Sequence, residues 1–201
     1  EAFPDVLGTF TTRYDATNKN RSNNISLAAQ KISGPVILPG ETFSYNKTVG
    51  KRTKAAGFKE AGAYAGGKVI QEVGGGICQV SSTLYNAVVY ANLEITERSN
   101  HCFESSYVAA GRDATVSWGT LDFKFKNNRQ YPVKIEASAN SGVNKITIKG
   151  IKEEKEYEVV IQSKVTSIIQ MPVQYQENSD MNEGEERIIQ YGHNGCTSVT
   201  Y

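Results

Sequence analysis

The chain has 201 residues, of which 39% are hydrophobic and 21% charged, and its formal net charge is +1. This length allows one or two domains with a sizeable core, and the composition is typical of a globular protein. The near-neutral charge argues against nucleic acid or an anionic membrane as a partner, and no run of about 18 apolar residues predicts a membrane span.

The first predicted element is a short helix over residues 25–32. Asn23 or Asn24 can cap its start through a side-chain oxygen, and a Gly-Pro pair ends it. Residues 36–38 and 42–45 predict two short strands joined by a Pro-Gly turn.

The main predicted helix follows a strand and a glycine loop. Residues 50–67 predict a turn of helix within long loops, and residues 68–73 predict a strand that leads into Gly74-Gly75-Gly76. Apolar residues then recur at the spacing of one buried helical face, namely Val80, Leu84, Ala87, Val88 and Ala91. Because glycine disfavours a helix, this helix should begin at or just before Cys78.

Alternating apolar and charged residues predict strands after the main helix. Residues 121–126 form one half-buried strand, and a turn at Asn127-Asn128 leads to strands over residues 133–137 and 146–148. These strands predict an antiparallel meander. We therefore expect an α+β domain, an antiparallel sheet with a few helices, over residues 1–150.

Residues 151–201 differ in character from the rest of the chain. A charge run at residues 152–156 predicts a solvated linker. Residues 159–161 are strand-like, and residues 188–190 and 197–201 predict a hairpin around an Asn-Gly turn. With about 50 residues and few large apolar groups, this segment should be a small all-β module with a thin core.

Cys78 is the candidate nucleophile. At a helix start its thiol lies among unpaired N–H groups at the positive end of the helix dipole, which stabilises a thiolate by roughly 0.3–1 kcal/mol. One pKa unit is about 1.4 kcal/mol, so the helix alone lowers the thiol pKa by at most about one unit, and full activation needs a basic partner. The alternative is a packed cysteine, since free cysteine is often buried.

The three glycines favour the nucleophile over the packed cysteine. They remove side chains that would keep a ligand away from the backbone, which structure alone rarely demands. The other use of such a loop is phosphate binding. Here the loop lacks the lysine of a nucleotide-binding loop and the spacing of a dinucleotide fingerprint.

The base for this thiol must come from two histidines. His101 follows the main helix and is the candidate, because cysteine catalysis requires an imidazole within hydrogen-bonding reach. His193 lies in a polar, glycine-flanked turn, where we expect solvent exposure and no chemistry. Asp113 or Asp122 can supply a carboxylate that orients the imidazole.

The remaining cysteines do not indicate a metal site. Cys102 adjoins His101, and His193 and Cys196 form an H-x-x-C pair, but neither spacing fits the usual zinc patterns. The number of cysteines is odd, so at least one thiol is unpaired, and a Cys102–Cys196 disulfide stays open. We predict no metal and no cofactor.

Several motifs together resemble the VanW-like domain of bacterial cell-envelope proteins. They are the string GGGICQVSSTLYNA at residues 74–87 and the segments at residues 10–14, 38–44, 49–53, 111–116 and 121–127. The resemblance covers roughly residues 6–150. Residues 151–201 are similar to the start of a G-five module, a β domain common on bacterial surface proteins, and appear there only in part.

The resemblance implies an activity. The VanW-like domain has been linked to L,D-transpeptidation of peptidoglycan through a cysteine, so peptidoglycan stem peptides are the implied partner and the cell envelope the implied location. No secretory leader is present in the sequence, which leaves open a leader or anchor upstream of Glu1. Cys78 matches the family cysteine and His101 the family histidine, while Arg112 and Asp113 fall in the family's Gly-Arg-Asp motif. Cys102 stands where relatives are expected to carry a small polar residue.

The implied reaction also assigns binding roles. Its tetrahedral oxyanion needs donors, for which the backbone N–H groups of Cys78 and Gln79, after Gly76, are suitable. Arg112 can hold a substrate carboxylate, or else form a structural salt bridge. Ser82, with its neighbours Ser81 and Thr83, binds backbone or lines the cleft. Tyr107 is a further binding candidate.

Two other classes of function stay open. A peptidoglycan-binding or scaffolding domain would use the same groove with Cys78 merely buried. A cysteine amidase or endopeptidase would use the same nucleophile, with water in place of the acceptor amine.

Overall fold

Three helices lie among short antiparallel sheets in the computed structural model, which describes residues 2–65, 68–189 and 191–201. The helices are α1 (Lys19–Ile32), α2 (Tyr45–Val49) and α3 (Ile77–Tyr90). The first five strands are β1 (Asp5–Arg13), β2 (Val36–Ile37), β3 (Thr42–Ser44), β4 (Glu60–Ala65) and β5 (Lys68–Val73). The others are β6 (Glu94–Glu97), β7 (Lys124–Lys126), β8 (Val133–Asn140), β9 (Val143–Gly150), β10 (Ser163–Ile169) and β11 (Gly195–Thr200). The predicted α+β class is confirmed.

The described strands pair in four antiparallel sheets. The largest has the strand order β1-β9-β8-β2, and the second has the order β3-β7-β6. The pairs β4-β5 and β10-β11 form the other two. Helix α3 packs against β1 and β9, and helix α1 packs against β8, so the core lies between these two helices and the largest sheet. None of the helices within the described ranges is long and apolar enough to cross a membrane.

Helix α3 has the predicted start and the predicted buried face. It begins at Ile77, one residue before Cys78. The side chains of Val80, Leu84, Ala87 and Val88 are fully buried. The 3.6-residue period of the sequence thus identified the face that packs on the sheet.

Helix α1 is longer than the sequence predicted. Its cap is Asn18, whose side chain accepts a hydrogen bond from the Arg21 N–H at 3.1 Å, so a cap at Asn23 or Asn24 is wrong. Asn24 is instead fully buried, because its amide binds the carbonyl oxygens of Lys59 and Gly75 at 2.8 and 2.9 Å. Asparagine often caps a helix, but here the Asn24 side chain instead holds the loops that contain Lys59 and Gly75.

The interval 50–67 contains a strand that its sequence did not indicate. Strand β4 pairs in register with β5, from Glu60 opposite Val73 to Ala65 opposite Lys68. Small residues carry little strand preference of their own, so the pairing with β5 determines this conformation. The only helical turn nearby within the described residues is α2, which precedes the interval. The last two residues of the interval, 66 and 67, lie outside the described residues.

The predicted meander is wrong at Asn127. Strand β7 is confined to three residues and pairs with β3 and β6, whereas β8 belongs to the largest sheet. The buried Asn127 amide donates to the carbonyl oxygens of Ile37 and Tyr131, both at 2.9 Å. These bonds turn the chain from one sheet to the other. The hairpin of β8 and β9 has the predicted position.

The charge run at residues 152–156 is mostly exposed, as predicted, and it also makes polar contacts with the preceding domain. Arg129 forms ion pairs with Glu153, at 3.7 Å, and with Glu156. The Lys152 N–H donates to the Asp5 carboxylate at 2.9 Å. These contacts fix the start of the C-terminal segment against the edge of β1.

The C-terminal strands also differ from the prediction. Residues 159–161 form no strand, and neither do residues 188–189, while residue 190 lies outside the described residues. Strand β11 pairs instead with β10, which precedes it by a long irregular segment. Ile188 and Ile189 are 66% and 79% exposed, so their apolar character marks no packed strand here.

A chain ending at Gly150 is expected to fold, because the large core lies upstream of that residue. A second chain, ending at Glu158, keeps the two carboxylates that bind Arg129, and its free energy of unfolding in urea should be about 1 kcal/mol higher than that of the shorter chain. A shorter chain that fails to fold would contradict this layout. The comparison is informative because β11 approaches the preceding domain, where a Cβ at Gly111 would lie 2.5 Å from Oγ1 of Thr200.

Candidate active site

The start of α3 is held in place by α1 and α2. Gly76 is its N-cap residue, in the left-handed region with φ 105° and without a side-chain cap. The buried hydroxyl of Tyr45 in α2 donates to the Ile77 carbonyl oxygen at 3.1 Å. In α1, Arg21 donates to the Gln79 side chain at 2.8 Å. The residue between Ile77 and Gln79, Cys78, is therefore on a fixed turn.

The three glycines of the loop are required by packing, which corrects the argument drawn from the sequence. A Cβ at Gly75 would lie 2.4 Å from the Ala61 carbonyl oxygen. Gly74 and Gly76 have positive φ, and a Cβ at either would lie within 3.0 Å of an arginine stem, at 2.9 Å from Arg52 and 2.8 Å from Arg21. The glycines thus give no support for a ligand at the backbone. The case for Cys78 depends on its neighbours.

Polar side chains of α3 bind the segment of residues 112–116 along the helix. The Ser82 hydroxyl accepts from the Ala114 N–H at 2.9 Å, and the Ser81 hydroxyl donates to the Ala114 carbonyl oxygen at 2.6 Å. One turn later, the Asn86 amide donates to the Arg112 carbonyl oxygen at 2.8 Å. These three buried side chains bring the Gly-Arg-Asp segment alongside the helix that carries Cys78. The expected role of Ser81 and Ser82 in binding backbone is confirmed.

The thiol of Cys78 is partly exposed and has polar neighbours from this segment. Its Sγ lies 3.7 Å from the Thr115 hydroxyl oxygen and 3.5 Å from the Val116 carbonyl oxygen. The imidazole of His101 lies near enough to the thiol to lower its pKa. The candidate nucleophile and the candidate base therefore meet.

His101 is oriented by Asp113. The backbone N–H and the Nδ1 atom of His101 both lie 2.6 Å from Oδ2 of Asp113. A carboxylate can only accept, so Nδ1 carries a proton and the Nε2 side of the ring is left for the thiol. Asp122, the alternative third member, is elsewhere, because its carboxylate binds the Ser44 hydroxyl and the Asn46 N–H at 2.6 and 2.8 Å.

The pKa values of Cys78, His101 and Asp113 are shifted in directions that favour a thiolate–imidazolium pair. Burial raises the pKa of Cys78, but the hydrogen bond and charge of His101 outweigh it and leave the thiol pKa below its ordinary value. Burial lowers the pKa of His101, yet Asp113 and Cys78 raise it to about 9. Burial also raises the pKa of Asp113, and His101 and Arg98 together bring it below its usual range. The directions of these three shifts favour a thiolate beside an imidazolium and a carboxylate.

Arg98 is a member of the site that sequence reasoning did not assign. It donates to the Asp113 carboxylate at 3.0 Å and to the Asp113 and Gly111 carbonyl oxygens at 2.7 and 3.1 Å. It follows β6, the strand that returns the chain from the end of α3. The position of this basic residue, three before His101, was the available signal. Its contacts explain how the chain between α3 and His101 runs back to the thiol.

Two of the predicted binding residues, Arg112 and Gln79, have other partners. Arg112 donates to the Asn86 side chain at 2.7 Å and to the Tyr90 hydroxyl at 3.2 Å, far along α3 from the thiol. The Gln79 amide donates to Thr12 and to the Arg13 carbonyl oxygen, and its backbone N–H donates to Gly76. The structure does not bring these side chains to Cys78. The Cys78 N–H, by contrast, has no bonded acceptor among the described residues.

Tyr107 lies beside the base. Its ring is edge-on to that of His101, with 6.5 Å between the ring centroids. Burial raises the pKa of Tyr107, so the phenol is protonated at neutral pH. It therefore forms a neutral wall of the site.

The other histidine and cysteines lie apart from this group. Cys102 is exposed, and Cys102 and Cys196 are both free thiols, so the disulfide between them is not formed. His193 is exposed in the loop before β11. Within the described ranges, no group of three His, Cys, Asp or Glu side chains is placed to hold a metal ion.

The larger grooves of the surface lie elsewhere. One of about 520 Å³ lies between β1 and the C-terminal segment, and one of about 530 Å³ lies beside Trp118 and Asp122. Neither is lined by Cys78, His101 or Asp113. The site is therefore defined by its chemistry and not by cavity size.

This α+β fold brings a cysteine, a histidine and an aspartate together at the start of α3. Residues 20–149 match the family described as VanW like protein, and the chain belongs to that family. Residues 152–201 match the G5 domain. The resemblance drawn from the sequence motifs is confirmed.

Two curated relatives are similar to this chain. "Uncharacterized protein YoaR" of Bacillus subtilis (strain 168) is 49% identical over 142 residues, which cover 71% of this chain and 47% of the relative. "Vancomycin B-type resistance protein VanW" of Enterococcus faecalis (strain ATCC 700802 / V583) is 36% identical over 115 residues, covering 55% of this chain and 42% of the relative. The chain thus spans less than half the length of either relative. No solved structure matches it significantly.

Membership of this family, with a G5 domain following, associates the chain with the bacterial cell wall.

Proposed function

We propose that the protein is a cysteine-dependent L,D-transpeptidase that acts outside the cytoplasm on peptidoglycan stem peptides. The observation that carries the proposal is the grouping of Cys78, His101 and Asp113, in which the partly buried Cys78 lies near an imidazole that lowers its pKa and that a buried carboxylate holds. A buried charge network contributes little net stability, so its presence next to an accessible thiol favours a catalytic role.

Acylation starts from the ion pair. The Cys78 thiolate attacks the carbonyl carbon of the third stem residue, forming a C–S bond and a tetrahedral oxyanion. As the C–N bond to the terminal D-alanine breaks, the His101 imidazolium gives its proton to the leaving amine. Free D-alanine departs, and a thioester remains on Cys78.

Deacylation reverses these roles with a second stem peptide. The side-chain amine of its diamino acid attacks the thioester carbonyl, and the neutral His101 takes the proton that this amine loses. The C–S bond then breaks, which restores the thiolate and leaves an amide cross-link between the two stems. Asp113 accepts from Nδ1 throughout and keeps the ring in one orientation.

The oxyanion needs a donor at the helix start. The Cys78 N–H is suitable because no described residue accepts from it and it lies at the positive end of α3. The Gln79 N–H is already donated to Gly76, so it is no longer part of the proposed oxyanion site.

Of the two alternatives, a non-catalytic binding domain has less support, whereas a hydrolase differs only in its acceptor. A domain that only binds peptidoglycan has no need of an imidazolium beside its cysteine, whereas here His101 lowers the thiol pKa. An amidase or endopeptidase shares the first half-reaction and differs only in the acceptor. The structure favours neither acceptor, so the products must distinguish these two reactions.

Incubation with purified disaccharide-tetrapeptide, followed by mass spectrometry, tests the proposal. We expect a cross-linked dimer together with free D-alanine, and a transient thioester on Cys78. Free tripeptide without a dimer would indicate a hydrolase. An unchanged substrate, with the thiol still reactive, would contradict both enzymatic functions.

A further inference from the structure

Arg52 is a half-buried cation next to the turn that carries Cys78. Its Nη2 donates to the Asn46 side-chain oxygen at 2.6 Å, its Nη1 donates to the Gly50 carbonyl oxygen at 3.3 Å, and its buried Nε has no partner. Within the described residues, no carboxylate forms an ion pair with it. A desolvated guanidinium that lacks a carboxylate is an unusual arrangement.

The position of Arg52 is fixed by the same elements that fix the nucleophile. Gly74 lies directly on its side chain, since a Cβ there would be 2.9 Å from its Cβ and Cγ. Its guanidinium carbon lies 5.9 Å from the ring centroid of Tyr45, whose hydroxyl binds the Ile77 carbonyl oxygen. The Arg52 side chain therefore packs, through Gly74 and Tyr45, against the same loop and first turn of α3 that carry Cys78.

The neighbouring amide is also fixed. The Asn46 side-chain nitrogen donates to the carbonyl oxygens of Ser117 and Leu121 at 3.2 and 2.8 Å, which directs its oxygen towards Arg52. Burial lowers the pKa of Arg52, while the nearby groups Tyr45, Cys78, Asp122 and Glu72 oppose this shift. Within the described residues neither of these two carboxylates forms an ion pair with the guanidinium, which is held by hydrogen bonds to neutral acceptors.

A planar carboxylate is the ligand that a guanidinium fork fits best. In the proposed reaction, the donor stem ends in the carboxylate of D-alanine, one residue beyond the bond that Cys78 attacks. Resting on that proposed function, we propose that Arg52 binds the terminal carboxylate of the donor peptide and so determines which carbonyl reaches the thiol. The sequence motif offered Arg112 for this role, but its guanidinium binds Asn86 and Tyr90, far along α3 from the thiol.

The first test measures anion recognition at the thiol without requiring catalysis. Cys78 is alkylated by iodoacetate, which carries a carboxylate, and by neutral iodoacetamide, in a protein with serine at positions 102 and 196. The ratio of the two rates should fall by about tenfold in Arg52→Met, because a nearby positive charge is lost. It should change little in Arg52→Lys and in the matched control Lys51→Met, whose side chain is exposed. An unchanged ratio in a folded Arg52→Met protein overturns the proposal.

The second test uses the peptide itself. The wild-type protein should process a tetrapeptide with a free terminal carboxylate and discriminate against its carboxamide through KM, and Arg52→Met should lose this discrimination. Absence of turnover on both peptides would contradict the transpeptidase function alone. In that case the free-acid peptide should still protect wild-type Cys78 from iodoacetamide at concentrations where the carboxamide does not. Equal protection by the two peptides overturns the role of Arg52, even if no Arg52 variant folds.

Discussion

Replacing Cys78 with alanine is expected to abolish both thioester formation and cross-linked product, with turnover reduced by at least about four orders of magnitude. The thiol is the group that forms the covalent bond, and no other cysteine lies within the site. The substitution removes little buried volume at the start of α3, so the free energy of unfolding should change by less than about 1.5 kcal/mol. Mass spectrometry of products and urea unfolding measure the two effects.

Cys102→Ala is the matched control, because that cysteine is exposed and adjoins the histidine. It should leave turnover unchanged. Product formation that survives in Cys78→Ala would remove this residue from the mechanism and restore the packed-cysteine interpretation.

Replacing His101 with glutamine is expected to raise the thiol pKa and to slow acylation by about 10²–10⁴-fold. In the native protein, burial raises the pKa of Cys78 and His101 more than reverses this effect, so loss of the imidazole leaves burial dominant. The measurement is the pH dependence of Cys78 alkylation in both proteins, with Cys102 and Cys196 replaced by serine. The control His193→Gln should follow the native curve, since that residue is exposed.

In the native protein, alkylation of Cys78 and acylation by peptide should depend differently on pH. Alkylation rises with pH through the lowered pKa of Cys78, whereas acylation by peptide also needs the imidazolium and should decline above about 9, where His101 loses its proton. His101 is raised from 6.5 to about 9, so its contribution to stability is complete below about 6.5 and is lost as the pH rises through about 9. Superimposable alkylation curves for the native and His101→Gln proteins would show that His101 is not the partner.

The sequence predicted the nucleophile-bearing helix well because its signals are local. A glycine loop followed by a 3.6-residue apolar period determined both the start of α3 and its buried face. The paired roles of Cys78 and His101 followed from chemistry, since few residues can serve as nucleophile and base. Their proximity depended on a return of the chain that only the structure provides.

The predictions that failed depend on distant partners. Strand β4 exists because β5 pairs with it, and Asn24 is buried because Lys59 and Gly75 need its amide. The role of Arg98 depends on Asp113, 15 residues away, and no local pattern encodes that contact. For Arg112 the motif left a substrate carboxylate and a structural contact open, and its side chain binds Asn86 along α3.

Three polar side chains of α3 hold residues 112–114 in place. The site can therefore come apart while the rest of the fold stays intact. Residues 98–116 contain no helix or strand, so the base and its carboxylate are kept beside the thiol by side chain–backbone bonds from Ser81, Ser82 and Asn86. Such a segment opens with less free energy than the sheets. Release of this one segment dismantles the ion pair while α3 and the core stay folded. The assembled state of the site is therefore a local equilibrium, and a ligand that contacts both α3 and this segment shifts that equilibrium towards the active arrangement.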